Sequence, residues 1–130
     1  MPKPSLHIAI LEPSRIICEG LQTILYQSDL DCRIHRIETL EELTELLETV
    51  TVNILITNPL QFVNREKEVR KIRRQYPSIS IAGIDYGIIQ KQSMLTDLSF
   101  TLYDSSEHII HLLSKLDKQN RSYTMQKNED

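Results

Sequence analysis

The chain has 130 residues, is 40% hydrophobic and 25% charged, and carries a net charge of −3. That length suits one domain around one core, and that charge excludes the strong positive field a nucleic-acid binder needs. Two cysteines, Cys18 and Cys32, without CxxC or His/Cys spacing, argue against a zinc site and for reduced structural thiols.

In chain order, residues 6–11 (LHIAIL) form an apolar run ending at Glu12-Pro13-Ser14, which predicts a buried strand with Ser14 as the cap of the next helix. The run is too short for a signal peptide, and no segment approaches the roughly 18–20 apolar residues of a membrane helix. A cytoplasmic protein with no membrane contact is therefore expected. Over 15–26, Ile17, Leu21, Ile24 and Leu25 recur at helical spacing. Residues 32–37 (CRIHRI) alternate, which predicts a second strand near a sheet edge. Thr39 and Glu42 form a capping box before a helix carrying Leu40, Leu43, Leu46 and Leu47. Residues 52–57 are nearly all apolar, as a central parallel strand covered on both sides requires.

A loop over 58–64 precedes a basic amphipathic helix, 65–76, that stops before Pro77. Residues 79–84 predict a fourth strand, 87–98 a weaker helix, and 100–103 a short fifth strand. Ser105 or Ser106 caps a last helix carrying Ile109, Ile110, Leu112, Leu113 and Leu116. From 118 to 130 apolar residues nearly vanish, which predicts a polar linker or disordered tail after a domain spanning 1–117. Five strands alternating with five helices imply an α/β fold: a five-stranded parallel sheet with helices on both faces.

In such a sheet the carboxyl ends of the strands share one crevice. Here they carry Glu12, Asn58, Asp85 and Tyr103. Phosphoryl transfer there would need a carboxylate nucleophile, further acids for Mg²⁺ and a cation against the transferred group. Asn58 is an amide and Tyr103 is not a cation, so no catalytic residue, metal or cofactor is assigned. Plainer roles stand beside this one. Asn58 could donate to Glu12 or Asp85 and merely fix the loops. Tyr103 could fill the crevice or face outward. The bases Arg65, Lys67, Arg70, Lys71, Arg73 and Arg74 alternate with Glu66 and Glu68, which reads as a solvated helix face. His108 and His111 sit one turn apart but lack a third ligand, so a surface role is expected. Cys18 has no activating base in sight and reads as packing.

The segments IAILEPSRIICEGLQTIL, VNILITNP, EVRKIRRQYPSISIAGI and FTLYDSSEHIIHLL together resemble the receiver domain of bacterial two-component response regulators, in the NarL/LuxR-type branch. The resemblance covers about residues 6–118 and implies the flavodoxin-like, CheY-like topology. It also implies a degenerate phosphorylation pocket. The acid pair after strand one is Glu12-Pro13, the phosphoacceptor position holds Asn58, the Thr/Ser switch position Asp85 and the Lys position Tyr103. Phe100 stands at the switch-aromatic position, and the Met-Pro-Gly loop is absent.

The implied function is a phosphorylation-independent regulatory and dimerisation domain of a transcriptional regulator. A helix-turn-helix effector domain, and DNA binding with it, would lie downstream. The implied partner surface, formed by the fourth helix, fifth strand and last helix, would include Gln90, Leu95, Phe100, Tyr103, His108 and His111. It would take a second copy or another signalling protein. A stand-alone adaptor binding a protein partner shares these features. A flavodoxin-like enzyme does not fit, because none of the three glycines forms a phosphate loop after strand one and no catalytic set converges.

Overall fold

The computed structural model describes residues 5–86 and 95–128, with side-chain surroundings described as far as Asp117. Strand β1 (Leu6–Leu11) is buried except at the half-buried His7, because it lies inside the sheet and is covered on both faces. Leu6, Ile8 and Ile10 face one apolar layer, and Ala9 and Leu11 face the other. Helix α1 (Arg15–Gln27) starts on Ser14, whose hydroxyl accepts the Ile17 N–H at 3.4 Å. Strand β2 (Cys32–Ile37) is an edge strand, as its alternation predicts.

Helix α2 (Leu40–Thr49) opens on the expected capping box. The Thr39 hydroxyl accepts the Glu42 N–H at 3.1 Å. The Glu42 carboxylate reaches one residue further back than the motif predicts, to the Glu38 N–H at 2.8 Å. Strand β3 (Ile54–Thr57) is wholly buried. A 3₁₀ turn (Pro59–Phe62) then occupies the predicted loop. Asn64 adopts φ 63°, a left-handed conformation that asparagine tolerates, before helix α3 (Glu66–Gln75). Strands β4 (Ser80–Asp85) and β5 (Leu98–Thr101) complete the sheet, and helix α4 (Ser106–Asn128) follows.

All strand pairings are parallel, in the order β2-β1-β3-β4-β5. This is the doubly wound flavodoxin-like order, with its switch point between β1 and β3. Helices α1 and α4 cover one face through Cys18, Leu21, Leu25, Ile109, Leu113 and Leu116. Helices α2 and α3 cover the other through Leu40, Leu43, Leu47, Val69 and Ile72. Each Leu, Ile or Val among them contributes about 1.5–3 kcal/mol when fully removed from water.

Two expectations need correction, and one helix runs past its expected end. First, β5 runs Leu98–Thr101, two residues earlier than predicted. The Asp97 N–H already donates to the Ile81 carbonyl at 2.7 Å, so pairing begins there. The Asp104 carboxylate accepts the Thr101 N–H at 2.8 Å and turns the chain away before Tyr103. Second, the helix predicted over 87–98 lies outside the described residues for 87–94, and Leu98 at its end belongs to β5. The last helix runs on into the stretch expected as a polar linker or disordered tail: its backbone continues as helix to Asn128. No glycine or proline follows Ser106, so nothing in the backbone stops it.

Candidate functional site at the carboxyl edge of the sheet

The end of β1 delivers Glu12 into the crevice, only 5% exposed. One carboxylate oxygen accepts the Ser14 N–H at 2.7 Å, and the other accepts the hydroxyl of Tyr86. The Glu12 carbonyl accepts the thiol of Cys18 at 3.1 Å. Burial pushes that thiol up, with Arg36 opposing, so Cys18 is a packed, protonated side chain rather than a nucleophile.

Tyr86 follows directly on β4 and is half-buried. Burial raises its hydroxyl above the ordinary tyrosine value, the Glu12 carboxylate raises it further, and the Asn58 amide opposes. The phenol therefore remains a hydrogen-bond donor at neutral pH, aimed at the Glu12 carboxylate.

Asn58 ends β3 as the N-cap of the 3₁₀ turn. Its side-chain oxygen accepts the Leu60 N–H at 3.0 Å, and its backbone carbonyl accepts the Gln61 N–H at 2.9 Å. Beneath it the buried Thr57 hydroxyl donates to the Leu11 carbonyl at 3.0 Å and ties β3 to β1 at the mouth of the crevice. The turn lies close over β4. A Cβ on Gly83 would come within 3.3 Å of the Pro59 ring and 3.1 Å of the Thr96 side chain, closer than ordinary van der Waals contact, so a larger residue there would push on the turn.

Glu12, Asn58 and Tyr86 thus form one group. Pro13 is exposed beside Glu12, and Asp85 is exposed at the end of β4. Tyr103 does not join them: it is 90% exposed, in the turn beyond β5, with its N–H on the Thr101 hydroxyl at 3.1 Å. Tyr86, which sequence reasoning passed over, fills the crevice instead. The available signal was an aromatic immediately after a buried strand.

The expected partner surface also needs revision. Leu95 and Phe100 are core residues, packed against α3 and α4 respectively. Their apolar side chains are held inside the two layers and are not on a surface in this state. His108 and His111 are exposed on α4, and Gln90 lies outside the described residues.

Among the described residues the crevice holds one buried carboxylate with both oxygens engaged, an amide and a phenol. Among the described residues no group of three His, Cys, Asp or Glu side chains could hold a metal ion. A second titratable pair lies on the α2 side of the sheet. His7 Nδ1 and His35 Nε2 are 2.9 Å apart on neighbouring strands, with the rings stacked.

No family model matches the chain, and no curated protein matches its sequence. Solved structures do share its fold. The signal receiver domain of an HD domain-containing protein from Pseudomonas fluorescens Pf-5 aligns over 96% of both chains, with a TM-score of 0.75 at 15% identity. The isolated receiver (REC) domain of RcsB from Salmonella enterica serovar Typhimurium, in the presence of the phosphomimetic BeF3⁻, aligns over 88% of this chain and 90% of its own. Its TM-score is 0.69 at 16% identity. RcsB from the same organism bound to promoter rprA aligns over 85% of this chain and 67% of its own, with a TM-score of 0.64 at 14% identity. The fold is the CheY-like receiver fold. Among the described residues no helix is long and apolar enough to cross a membrane.

Proposed function

We propose that this chain is a receiver-like regulatory domain of a response regulator that signals without taking up a phosphoryl group. The observation that carries this is the state of the crevice. The position that resembles the phosphoacceptor holds Asn58, whose oxygen caps the 3₁₀ turn, while Tyr86 holds the neighbouring Glu12 carboxylate. An amide cannot form an acyl phosphate, and the buried Glu12 carboxylate, with both oxygens engaged, is not free to hold Mg²⁺. Contacts with other proteins then carry the signal, through surfaces that include Tyr103, His108 and His111. In the native protein a helix-turn-helix domain downstream would read DNA; the solved promoter complex of RcsB, which shares the receiver fold, supports this arrangement.

The test is intact-mass analysis after incubation with acetyl phosphate and Mg²⁺. The expected result is an unchanged mass. A stoichiometric gain of one phosphoryl group on this domain would overturn the proposal.

A further inference from the structure

Helices α2 and α3 lie on the same face of the sheet and begin side by side, joined by Arg65, which contacts Glu41 of α2 and Glu68 of α3. Both helices have ten residues. Glu41, Glu45 and Glu48 occupy the second, sixth and ninth positions of α2. Lys67, Lys71 and Arg74 occupy the same positions of α3, with Arg70 at the fifth. At 3.6 residues per turn each set forms one stripe along its helix. The buried residues, Leu40, Leu43 and Leu47 on α2 and Val69 and Ile72 on α3, lie on the opposite sides. Both stripes are exposed and point to solvent. Among the described residues the ion pairs use Arg65 and Arg73; none engages Glu45, Glu48, Lys67, Arg70, Lys71 or Arg74. One face of the molecule therefore carries a negative stripe and a parallel positive stripe, each about 10.5 Å long and in the same register.

We propose that this α2–α3 face binds a second copy of the chain through a two-fold axis parallel to the two helices. That operation lays α2 of one protomer on α3 of the other, twice, and opposes acid to base at each matched position. An isologous contact needs such self-complementarity. A polyanion such as DNA is a poorer occupant. It would find attraction on α3 and repulsion from the exposed glutamates of α2, on a chain whose net charge is −3. The face is small and lacks an apolar centre, so the dimer is weak and set by charge. Its defining property is salt sensitivity, because the Debye length shrinks to about 3 Å at 1 M ionic strength. The proposal goes beyond the phosphoryl question and is independent of it.

Sedimentation velocity of the full chain at high protein concentration tests this, in low salt and in about 1 M NaCl. Two variants are needed, one R70E/K71E/R74E and the other E45K/E48K; all five sites are exposed, and circular dichroism checks that each variant folds. The expected result is a dimer in low salt that is lost in high salt and lost in each variant alone. Mixing the two variants in equal amounts restores the association as a heterodimer. Three results would overturn the proposal: a wild-type chain that stays monomeric in low salt, a dimer that persists in both variants, or a mixture that stays monomeric. A wild-type monomer that instead binds a duplex oligonucleotide would reassign the face to nucleic acid. A dimer broken only by Tyr103→Ala with His111→Ala would move it to the face beside β5.

Discussion

Two donors meet the Glu12 carboxylate inside the crevice, the Ser14 N–H and the Tyr86 hydroxyl. Tyr86→Phe removes one donor and keeps the ring. A buried carboxylate that loses a partner costs about 1–3 kcal/mol. The variant is expected to unfold at a lower urea midpoint with an unchanged slope, and an unchanged midpoint would mean that water replaces the phenol without loss. At this scale the sequence was partly readable. Asn58 and Glu12 follow from counting residues to strand ends, and both lie in the crevice. Tyr86 does not follow, because attention falls on the residue after β5 when a long polar side chain is sought. The turn closed by Asp104 takes Tyr103 out of reach, and a side-chain-to-backbone hydrogen bond three residues away leaves little trace in hydrophobic periodicity.

Strand β5 has only four residues and sits at the sheet edge, yet its start is fixed by one side chain. Asp97 accepts the Ile81 N–H at 2.7 Å and the Arg73 guanidinium at 2.8 Å, while Arg73 also donates to the Leu95 carbonyl at 2.8 Å. Asp97 thereby joins β4, β5 and α3. Asp97→Ala is expected to destabilise the domain by about 1–3 kcal/mol, mainly through the Ile81 amide it leaves without an acceptor. Faster hydrogen exchange at Ile81, read by NMR, separates this from a loss of surface charge alone. The same aspartate explains the two-residue error in placing β5. Periodicity in a four-residue strand is too short to set its phase, and the choice falls to a long-range polar contact. Longer elements suffered less: α1, α3, β1, β2 and β4 lie within one residue of their expected bounds.

The parallel order of the whole sheet was legible because apolar runs and helical spacing alternate along the chain, and right-handed crossovers leave few arrangements. The charge layout was not. Acidic α2 and basic α3 nearly cancel in the net charge, and only their packing side by side turns two ordinary solvated helices into a patterned face. The molecule's pH response also depends on pairs brought together from afar. Burial first, then His7 and Arg33, hold the His35 imidazole below its ordinary 6.5. The unfolded chain then binds more protons than the folded one as pH falls through that value. The stabilising share of His35 is complete above 6.5 and is lost on acidification. For Tyr86 the sign reverses. Its hydroxyl lies above the ordinary 10.0, so the unfolded chain releases that proton first and stability falls as pH climbs past 10.0. Urea titrations across pH are expected to show both limbs, with His35→Gln flattening the acid limb and Tyr86→Phe the alkaline one.

The sheet order leaves two open margins, β2 and β5, and each offers backbone groups to which a stray strand from another molecule could add. The two margins are protected differently. β2 is six residues long and places the exposed cations Arg33 and Arg36 along its length, so an incoming strand of the same kind meets like charge. β5 is short, four residues between the aspartates at 97 and 104, and gives a templating strand little to grip. A fold whose hydrogen-bonding rows end in this way resists fibrillar assembly while its helical faces stay available for reversible contacts.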